Sequence, residues 1–243
     1  MTKAVILAAG KGSRLGTLTQ LTPKCLLKVG RKTILEHIIS VLNELNIGSV
    51  LLVIGTKGDC WNQESYETLN NICKKNGVKL ILNFENDKTQ NSYSLLLAMK
   101  DIGKTSLLAV DGDVFLNRSV LDSICNASYD TFVLSKTTDD SSETGTRIIT
   151  DQNGQVTDVG KNIIPNMPLW HIYSGVIKIG ERYFRRFKEI LSKREYKPLD
   201  ISYPLKDFSK KYALYTLEKN DGWININTTQ DLKDANQLWK DLK

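Results

Sequence analysis

Four short apolar runs, rich in Val, Ile and Leu, are the feature that most constrains how this chain can fold. They lie at residues 4–9, 50–54, 78–82 and 107–110, and helical patterns or turns separate them. Apolar runs of this length are typical of strands that helices cover on both faces, as in parallel sheets. The first half of the chain therefore predicts an α/β fold with a mainly parallel sheet.

The segments between the runs have the periodicity of helices. Between the first two runs, aliphatic residues recur at helical spacing, Thr33 and Glu36 form the T-x-x-E pattern of a capping box, and Gly48 follows as a stop. Helical patterns near residues 61–75 and 91–101 continue the alternation. Parallel strands joined by helices predict right-handed crossovers.

The second half of the chain has a more mixed pattern. The elements expected there are a hairpin over 146–159 that turns at Asn-Gly, a strand over 170–179, helices over 181–193 and 200–210, a strand over 212–217 and a last helix from Thr228. No internal repeat or linker divides the chain. One continuous domain is therefore expected, with ligands at the carboxyl ends of its strands.

The composition argues against several classes of protein. Of the 243 residues 41% are hydrophobic, which suffices for an ordinary globular core. The cysteines at 25, 60, 73 and 125 fall in no C-x-x-C pattern, and only two histidines accompany them, so neither a disulfide scaffold nor a zinc cluster is expected. The net charge of +6 comes from dispersed residues, so nucleic acid is not an expected partner.

The N-terminal apolar run is too short for a signal peptide or a membrane span. It predicts a cytoplasmic protein with no membrane partner. The sequence makes no prediction of oligomeric state.

The segment after the first run, Leu7 to Lys24, is rich in glycine and carries two cations. Its glycines, at positions 10, 12 and 16, allow a tight backbone and a close approach of N–H groups to anionic oxygens. Arg14 and Lys24 lie within reach of the same loop. This arrangement predicts a phosphate-binding loop.

Spacing separates this loop from two common nucleotide motifs. A Walker loop needs G-x-x-x-x-G-K-[ST] after a strand, whereas the sole G-K-T here has Ala98 at the first glycine position and precedes a strand. A Rossmann fingerprint needs G-x-G-x-x-G and an acid about 20 residues on, but the third glycine is Gly16 and the first acid at a strand end is Asp59. Both motifs are therefore excluded.

The run LAAGKGSRL followed by TPK resembles the signature of the nucleoside-diphosphate-sugar pyrophosphorylase type of nucleotidyltransferase. Four shorter segments, at 91–95, 111–113, 174–176 and 199–201, are more similar to small bacterial choline-phosphate cytidylyltransferases than to the long hexose enzymes. The resemblance implies a GT-A/Rossmann-like sheet flanked by helices. It also implies a nucleotide-binding half at 1–135 and an acceptor-binding half at 136–243.

The resemblance implies an activity and the residues that perform it. Such enzymes transfer a nucleoside monophosphate from an NTP to a phosphorylated acceptor and release pyrophosphate. Arg14 is expected to hold the β- and γ-phosphates, and Lys24 to face the α-phosphate and stabilise its charge in the transition state. The expected nucleotide-binding residues are Leu7, Ala8, Ala9, Gly10, Lys11, Gly12, Ser13, Gln90, Asn91 and Asp111.

Base recognition is assigned to the backbone of the glycine-rich loop and to Gln90 and Asn91. Amide side chains can both donate to and accept from a cytosine edge, which favours CTP. Asn91 is equally suited to cap the helix that follows it.

The acceptor side rests on fewer matching residues. Lys161 resembles the family lysine that binds the acceptor phosphate, and the other expected acceptor-binding residues are Tyr173, Ser174, Asp200 and Trp223. A trimethylammonium acceptor needs an aromatic cage and an acid. Trp170 and Tyr203 are further candidates for that cage.

The resemblance implies Mg²⁺ as the cofactor, with Asp113 as a ligand and Asp111 as a structural or outer neighbour. The usual closing pattern W-x-D-x-D-T is changed here, because Asn225 and Asn227 replace both acids. Asn227 can offer a carbonyl oxygen to the metal but no charge. Weaker metal binding, a different metal arrangement or lost activity is therefore expected.

Three functions follow in order of preference. The first is a cytidylyltransferase that activates a small phosphorylated alcohol, a phosphonate or a related acid, used by analogy in decorating a surface polysaccharide or lipid. The second is a sugar-1-phosphate nucleotidyltransferase that uses UTP, dTTP or GTP. The third is a nucleotide-binding regulator without catalysis, motivated by Asn225 and Asn227.

Overall fold

The computed structural model describes residues 2–45, 47–140, 145–164 and 170–241, without the side chains of Leu121 and Cys125. Its strands, numbered in chain order, are β1 (Thr2–Ala8), β2 (Lys28–Val29), β3 (Lys32–Thr33), β4 (Ser49–Gly55), β5 (Lys79–Asn83), β6 (Ser106–Asp111), β7 (Val114–Leu116), β8 (Phe132–Thr138), β9 (Arg147–Thr150), β10 (Val156–Gly160), β11 (Trp170–Ile179), β12 (Tyr215–Glu218) and β13 (Trp223–Asn225). The α-helices are α1 (Ile34–Glu44), α2 (Gln63–Asn76), α3 (Asn91–Asp101), α4 (Arg118–Cys125), α5 (Phe184–Leu191), α6 (Ser202–Ser209) and α7 (Thr229–Asp241).

The predicted fold class is confirmed by the parallel core of the main sheet. All four apolar runs form strands, which pair in parallel in the order β6-β1-β4-β5. The predicted burial on both faces holds for β1, β4 and β6. It is wrong for β5, where Lys79 and Leu82 are exposed, because this strand lies at the end of the strand order and carries fewer covering elements.

The predicted helices of the first half are confirmed as α1, α2 and α3. The capping box that starts α1 is present in full: the Glu36 amide donates to Thr33 Oγ1 at 3.1 Å, and the Thr33 amide donates to Glu36 Oε2 at 2.8 Å. These two bonds satisfy backbone donors that the helix itself leaves without partners. Helix α2 ends at Gly77, whose φ of 64° lies in the left-handed region.

The second half extends the sheet with antiparallel strands. The predicted hairpin is β9 and β10, and the predicted strand over 170–179 is β11, which pairs with β6, β8 and β9. The predicted helices over 181–193 and 200–210 are shorter than expected, as α5 and α6, and the strand over 212–217 begins only at Tyr215. The sequence patterns did not predict β2, β3, β7, β8, β13 and α4.

The core lies on both faces of the sheet. Along β1, Ala4 and Ile6 pack on the face covered by α1, whereas Val5 and Leu7 pack on the opposite face against α3. The alternation follows from the two-residue period of a strand. Because both faces are covered, ligands can reach β1 only at its ends.

The predicted division of the chain between residues 135 and 136 falls inside β8. This strand pairs with β11 and β12 in one continuous sheet. The assignment of separate roles to the two halves stays a prediction. Among the helices of the described ranges, none has the length and apolar character needed to cross a bilayer.

Gly112 holds β1 and the end of β6 in close contact. Its amide donates to the Leu7 carbonyl oxygen at 2.8 Å. A Cβ atom at this position would lie 2.6 Å from Ala8 Cβ and 2.9 Å from Ala8 Cα. Any larger residue must therefore push the two strand ends apart.

We expect Gly112→Ala to destabilise the protein by about 1–3 kcal/mol, because the added methyl group overpacks a backbone contact. Urea unfolding measures the change. Gly103→Ala is the matched control, since a Cβ atom there meets nothing within 4 Å. Equal stability of the two variants would contradict the close contact.

Candidate active site

One large cleft of about 1260 Å³ opens at the carboxyl ends of β1 and β6. Its position follows from the parallel pairing of these strands, since Leu7 is in register with Asp111. The residues predicted from sequence that line it are Leu7, Ala8, Ala9, Gly10, Lys11, Gly12, Ser13, Arg14, Lys24, Gln90, Asn91, Asp111, Asp113, Lys161, Tyr173, Asp200, Trp223 and Asn227.

The glycine-rich loop leaves β1 and turns into a short 3-10 helix, Ser13–Thr19. Gly12 has a φ of 67°, and a Cβ atom there would lie 3.2 Å from Lys24 Cβ. Thr19 Oγ1 donates to the Gly12 carbonyl at 2.8 Å and holds the turn. Glycine is therefore required here both for its backbone angles and for its small size.

The predicted cations of the loop meet the predicted metal ligands. Lys24 Nζ donates to Asp113 Oδ2 at 2.7 Å and to Asn227 Oδ1 at 3.0 Å, and Arg14 donates to the same Asn227 oxygen at 2.6 Å. The Lys24 side chain is only 12% exposed. The amide oxygen therefore serves two cations in a position where the resemblance places a charged carboxylate.

The cap of the last helix positions Asn227. Asp231 Oδ2 accepts from the backbone amides of Asn227 at 2.8 Å and Thr228 at 2.7 Å, while the Asp231 amide donates to Thr228 Oγ1. The Ile226 amide donates to the Asp113 carbonyl at 2.9 Å. These bonds fix Asn227 beside the carboxylates that follow β6.

Asp111 is the most perturbed carboxyl of the site. Burial, followed by the negative charge of Asp113, raises its pKa to about 8, although the Asn91 amide and Lys24 partly oppose the shift. A carboxyl group with this pKa retains a proton near neutral pH in a large fraction of molecules.

Asn91 connects the nucleotide side of the cleft to the acceptor side. Its Nδ2 donates to Asp111 Oδ1 at 3.4 Å, and its Oδ1 accepts from the Ile201 amide at 2.9 Å. It does not cap α3, which begins without a side-chain cap. Both of its polar groups are therefore engaged, whereas the neighbouring Gln90 is exposed at the cleft.

Asn86 lines the cleft although no sequence motif predicted it. Its Oδ1 accepts from the amides of Thr56 and Lys57, at 3.0 and 2.9 Å, and its Nδ2 donates to the carbonyls of Lys57 and Ala9. Asn86 thereby ties the glycine-rich loop to the end of β4. The only signal in the sequence is its place shortly after a predicted strand end.

On the acceptor side, Lys161 forms an ion pair with Asp200, with 2.6 Å between Nζ and Oδ2. Asp200 Oδ1 also accepts from the Ser202 amide at 2.9 Å and from its hydroxyl. Burial alone would raise the pKa of Asp200, but the Lys161 and Ser202 hydrogen bonds outweigh it and hold that pKa below its usual value.

Ser174 is a correction to the predicted acceptor site. The side chain is fully buried, and its hydroxyl donates to the Leu134 carbonyl at 2.9 Å, away from the cleft. The register of β11 against β8 shifts between Tyr173 and Ile177, around Gly175 with a φ of 92°. This irregularity sends Ser174 into the core.

The predicted aromatic cage is not assembled. Tyr173 and Trp223 line the cleft, but Trp170 and Tyr203 do not. The Arg147 guanidinium lies over the Trp170 ring, 5.9 Å from its centre, and Tyr203 is 48% exposed on α6. Tyr173 is buried, and its pKa lies well above the usual value because of burial and the nearby carboxylates.

The residues around Asp113 fit a hard divalent cation that also binds substrate phosphates. In the described ranges no three His, Cys, Asp or Glu side chains group to hold a metal by themselves. Mg²⁺ commonly takes only one or two carboxylates and completes its shell with phosphates and water. Asn225 lines the cleft, and its buried Oδ1 has no hydrogen-bond donor among the described groups, as suits a nearby cation or water.

The cysteines whose side chains are described belong to the hydrophobic core. Cys25, Cys60 and Cys73 are buried and free, and burial raises the pKa of Cys25 to about 12. Such thiols are poor nucleophiles.

The covered sheet and the cation-lined cleft at its carboxyl edge define an α/β protein whose ligands bind at the ends of its strands. The chain belongs to the family of the MobA-like NTP transferase domain, whose model matches residues 4–183. This family is one of nucleotidyltransferases.

Individual relatives agree with this family. The chain is 33% identical over 115 residues to the choline-phosphate cytidylyltransferase of Streptococcus pneumoniae. The aligned region covers 47% of this chain and 47% of the relative. It is 28% identical over 243 residues to the bifunctional protein GlmU of Methanococcus aeolicus, covering 99% of this chain and 55% of the relative. These matches span about half the length of the curated relatives.

A solved structure has the same fold. The CTP:phosphocholine cytidylyltransferase of Streptococcus pneumoniae superposes with a TM-score of 0.79 at 24% identity, covering 98% of this chain and 99% of that one. The fold class expected from the sequence is therefore confirmed.

We expect Lys161→Met to lower the free energy of unfolding by about 1 kcal/mol at pH 7, because the ion pair is partly exposed. The difference in free energy of unfolding should shrink as the pH falls below 3.8, the ordinary pKa of Asp200. The ion pair lowers the pKa of Asp200 in the folded state, so it stabilises the protein only while this carboxylate is charged. Urea unfolding across this pH range measures it.

Lys210→Met is the control, because its nitrogen lies 3.8 Å from Asp207 in a more exposed pair. We expect a smaller change for this variant. An effect of Lys161→Met that does not depend on pH would contradict the pairing with Asp200.

Proposed function

We propose that this protein transfers CMP from CTP to a small phosphorylated or phosphonate acceptor, giving a CDP-activated compound and pyrophosphate. The observation that carries the proposal is the meeting of Lys24, Arg14 and Asp113 beside the glycine-rich loop. Lys161 faces the same cleft from the acceptor side. One cleft thus offers cations for both reacting phosphates.

In the proposed reaction an acceptor oxygen attacks the α-phosphorus in line. A new P–O bond forms, the bond to the β-phosphate oxygen breaks, and its electron pair leaves with pyrophosphate. No enzyme nucleophile is needed, so catalysis consists of positioning and charge stabilisation. Lys24 stabilises the charge on the α-phosphate, and Arg14 binds the leaving pyrophosphate.

Nucleotide entry exchanges partners within the cluster. In the structure Asn227 Oδ1 accepts from both Lys24 and Arg14. Phosphate oxygens are stronger acceptors than a neutral amide, so they take over these donors when the nucleotide binds. The amides of Gly10 to Ser13 complete the phosphate site.

Base preference is assigned to Gln90 rather than to Asn91. Gln90 is exposed at the cleft, whereas Asn91 already bonds to Asp111 and to the Ile201 amide. An amide can pair with the donor and acceptor edge of cytosine. The similarity to choline-phosphate cytidylyltransferases supports CTP.

Mg²⁺ is the proposed cofactor, held by Asp113 with Asp111 beside it and Asn227 as a neutral ligand. When bound, the ion neutralises charge on the substrate phosphates. Asp113 Oδ2 is bonded to Lys24, which leaves its second oxygen for the metal. We further propose a cytoplasmic location and use of the product in building a surface polysaccharide or lipid.

A second candidate function rests on the match along nearly the whole chain to bifunctional GlmU. It is transfer to a sugar 1-phosphate from UTP, dTTP or GTP. A regulator without catalysis is the third candidate, because Asn225 and Asn227 replace the usual acids. Retention of Lys24, Arg14 and Asp113 in one cluster favours an enzyme over a regulator.

Pyrophosphate release with Mg²⁺ tests the proposal. The assay combines CTP, UTP, GTP, ATP and dTTP with small phosphorylated alcohols, aminoethylphosphonate and hexose 1-phosphates. We expect turnover with CTP and a small acceptor. Turnover only with a sugar 1-phosphate would support the second candidate, and nucleotide binding without any turnover would support the third.

Lys24→Ala checks the assigned role within the same assay. We expect kcat to fall by about a hundredfold or more with a smaller change in the KM for CTP, because the contact strengthens in the transition state. Lys233→Ala, on the exposed face of α7, is the control and should leave both constants unchanged. A pure KM effect of Lys24→Ala would rule out this role.

Asn227→Asp tests the proposed neutral ligand. We expect the Mg²⁺ concentration for half-maximal rate to fall by about tenfold, because a carboxylate attracts the cation more strongly than an amide. Gln237→Glu adds the same charge on an exposed part of α7 and controls for net charge. Unchanged Mg²⁺ dependence and rate would remove Asn227 from the metal site.

A further inference from the structure

Lys136 and Arg147 line the cleft but have no role in the proposed reaction. Lys136 lies on β8 and Arg147 on β9, the two strands that flank the N-terminal part of β11. Neither residue is part of the glycine-rich loop, and neither lies in the segment that carries Asp111 and Asp113. They form a separate pair of cations on the acceptor side of the cleft.

Strand register places these two cations in one row. Ile172 of β11 is paired directly with Lys136 on one side and with Arg147 on the other. Residues directly opposite in antiparallel strands point to the same face of the sheet. With neighbouring strands about 4.8 Å apart, the Cα atoms of Lys136 and Arg147 are about 10 Å apart, so their long side chains can reach one small ion.

The row continues toward the residue assigned to the acceptor phosphate. Arg147 is paired in register with Gly160 of β10, and Lys161 follows directly. Arg147 also donates to the Ile163 carbonyl at 2.7 Å, which holds the segment after Lys161 in place. Lys136, Arg147 and Lys161 line the same cleft, so one ligand bound there can contact all three.

Arg147 is held in place by its surroundings. It bonds to the Ile163 carbonyl through one guanidinium nitrogen and lies over the buried Trp170 ring. A guanidinium fixed in this way loses little entropy when its other N–H groups bind a carboxylate. Lys136 and Arg147 make further polar contacts in the protein, which a bound anion would share or exchange.

The same geometry disfavours a quaternary ammonium group. The face of Trp170 that could contact such a cation is occupied by Arg147, and Tyr203 lies outside the cleft. The carboxylate that could attract it, Asp200, is paired with Lys161.

We propose that Lys136 and Arg147 form a second anion subsite, so that the preferred acceptor carries a carboxylate in addition to its reacting phosphate. This proposal rests on the proposed nucleotidyl transfer. Ile172, which lies between the cations, packs against the short aliphatic link between the two anionic groups. The acceptor class is therefore a small phosphorylated acid rather than phosphocholine.

Two matched pairs of acceptors test the subsite. O-phosphoserine differs from O-phosphoethanolamine, and 3-phosphoglycerate from glycerol 3-phosphate, by having a carboxylate at one carbon. With the wild-type protein and CTP we expect kcat/KM to be at least about tenfold higher for the carboxylated member of a pair. A preference for the other member, or for phosphocholine, overturns the proposal.

The Lys136→Gln variant tests whether the row causes the preference for the carboxylated acceptor. We expect the preference to fall toward unity, with kcat/KM for the member without the carboxylate changed less than about twofold and the KM for CTP unchanged. Lys233→Gln, a lysine on the exposed face of α7, is the control and should keep the preference. An equal loss with both members of a pair would contradict the subsite.

Binding measurements distinguish a failure of the anion subsite from a failure of the proposed nucleotidyl transfer. If no NTP and acceptor pair releases pyrophosphate, nucleotidyl transfer fails, and calorimetry with the same four compounds still tests the subsite. Tighter binding of the carboxylated members that Lys136→Gln abolishes supports it. Equal binding, or no binding of any of the four, overturns it.

Discussion

The parallel pairing of β1 with β6 is the constraint on which the rest of the structure depends. It sets Leu7 opposite Asp111, and the Gly112 amide bonds to the Leu7 carbonyl where both strands end. Because parallel strands end at the same edge, the glycine-rich loop and the carboxylates have to emerge side by side. Every other part of the cleft is arranged around this edge.

The burial of the charged Lys24 side chain depends on this arrangement. Lys24 is nearly buried, and its ammonium group is stabilised by Asp113 and by the Asn227 carbonyl. Burying a cation without such partners would cost several kcal/mol. The amide at 227 supplies an acceptor without adding a third negative charge beside Asp111, whose pKa burial and Asp113 already raise to about 8.

Much of the fold and part of the site could be predicted from local sequence patterns. The apolar runs became strands, and the Thr33 and Glu36 pair capped α1 as expected. Short strands such as β7 and β13 were missed because three residues carry too little periodicity to distinguish them from a loop. Ser174 was misplaced because a register shift in β11 does not show in the sequence.

The sequence by itself determined many of the strands and helices and the family signature, since local propensity and hydrophobic spacing act over a few residues. Only the tertiary structure decided that Arg14 meets Asn227, 213 residues away, and that Lys136 and Arg147 flank Ile172. The physical reason is that strand pairing depends on long-range packing, which fixes one register among many. Residues become neighbours in a site only after that register is chosen.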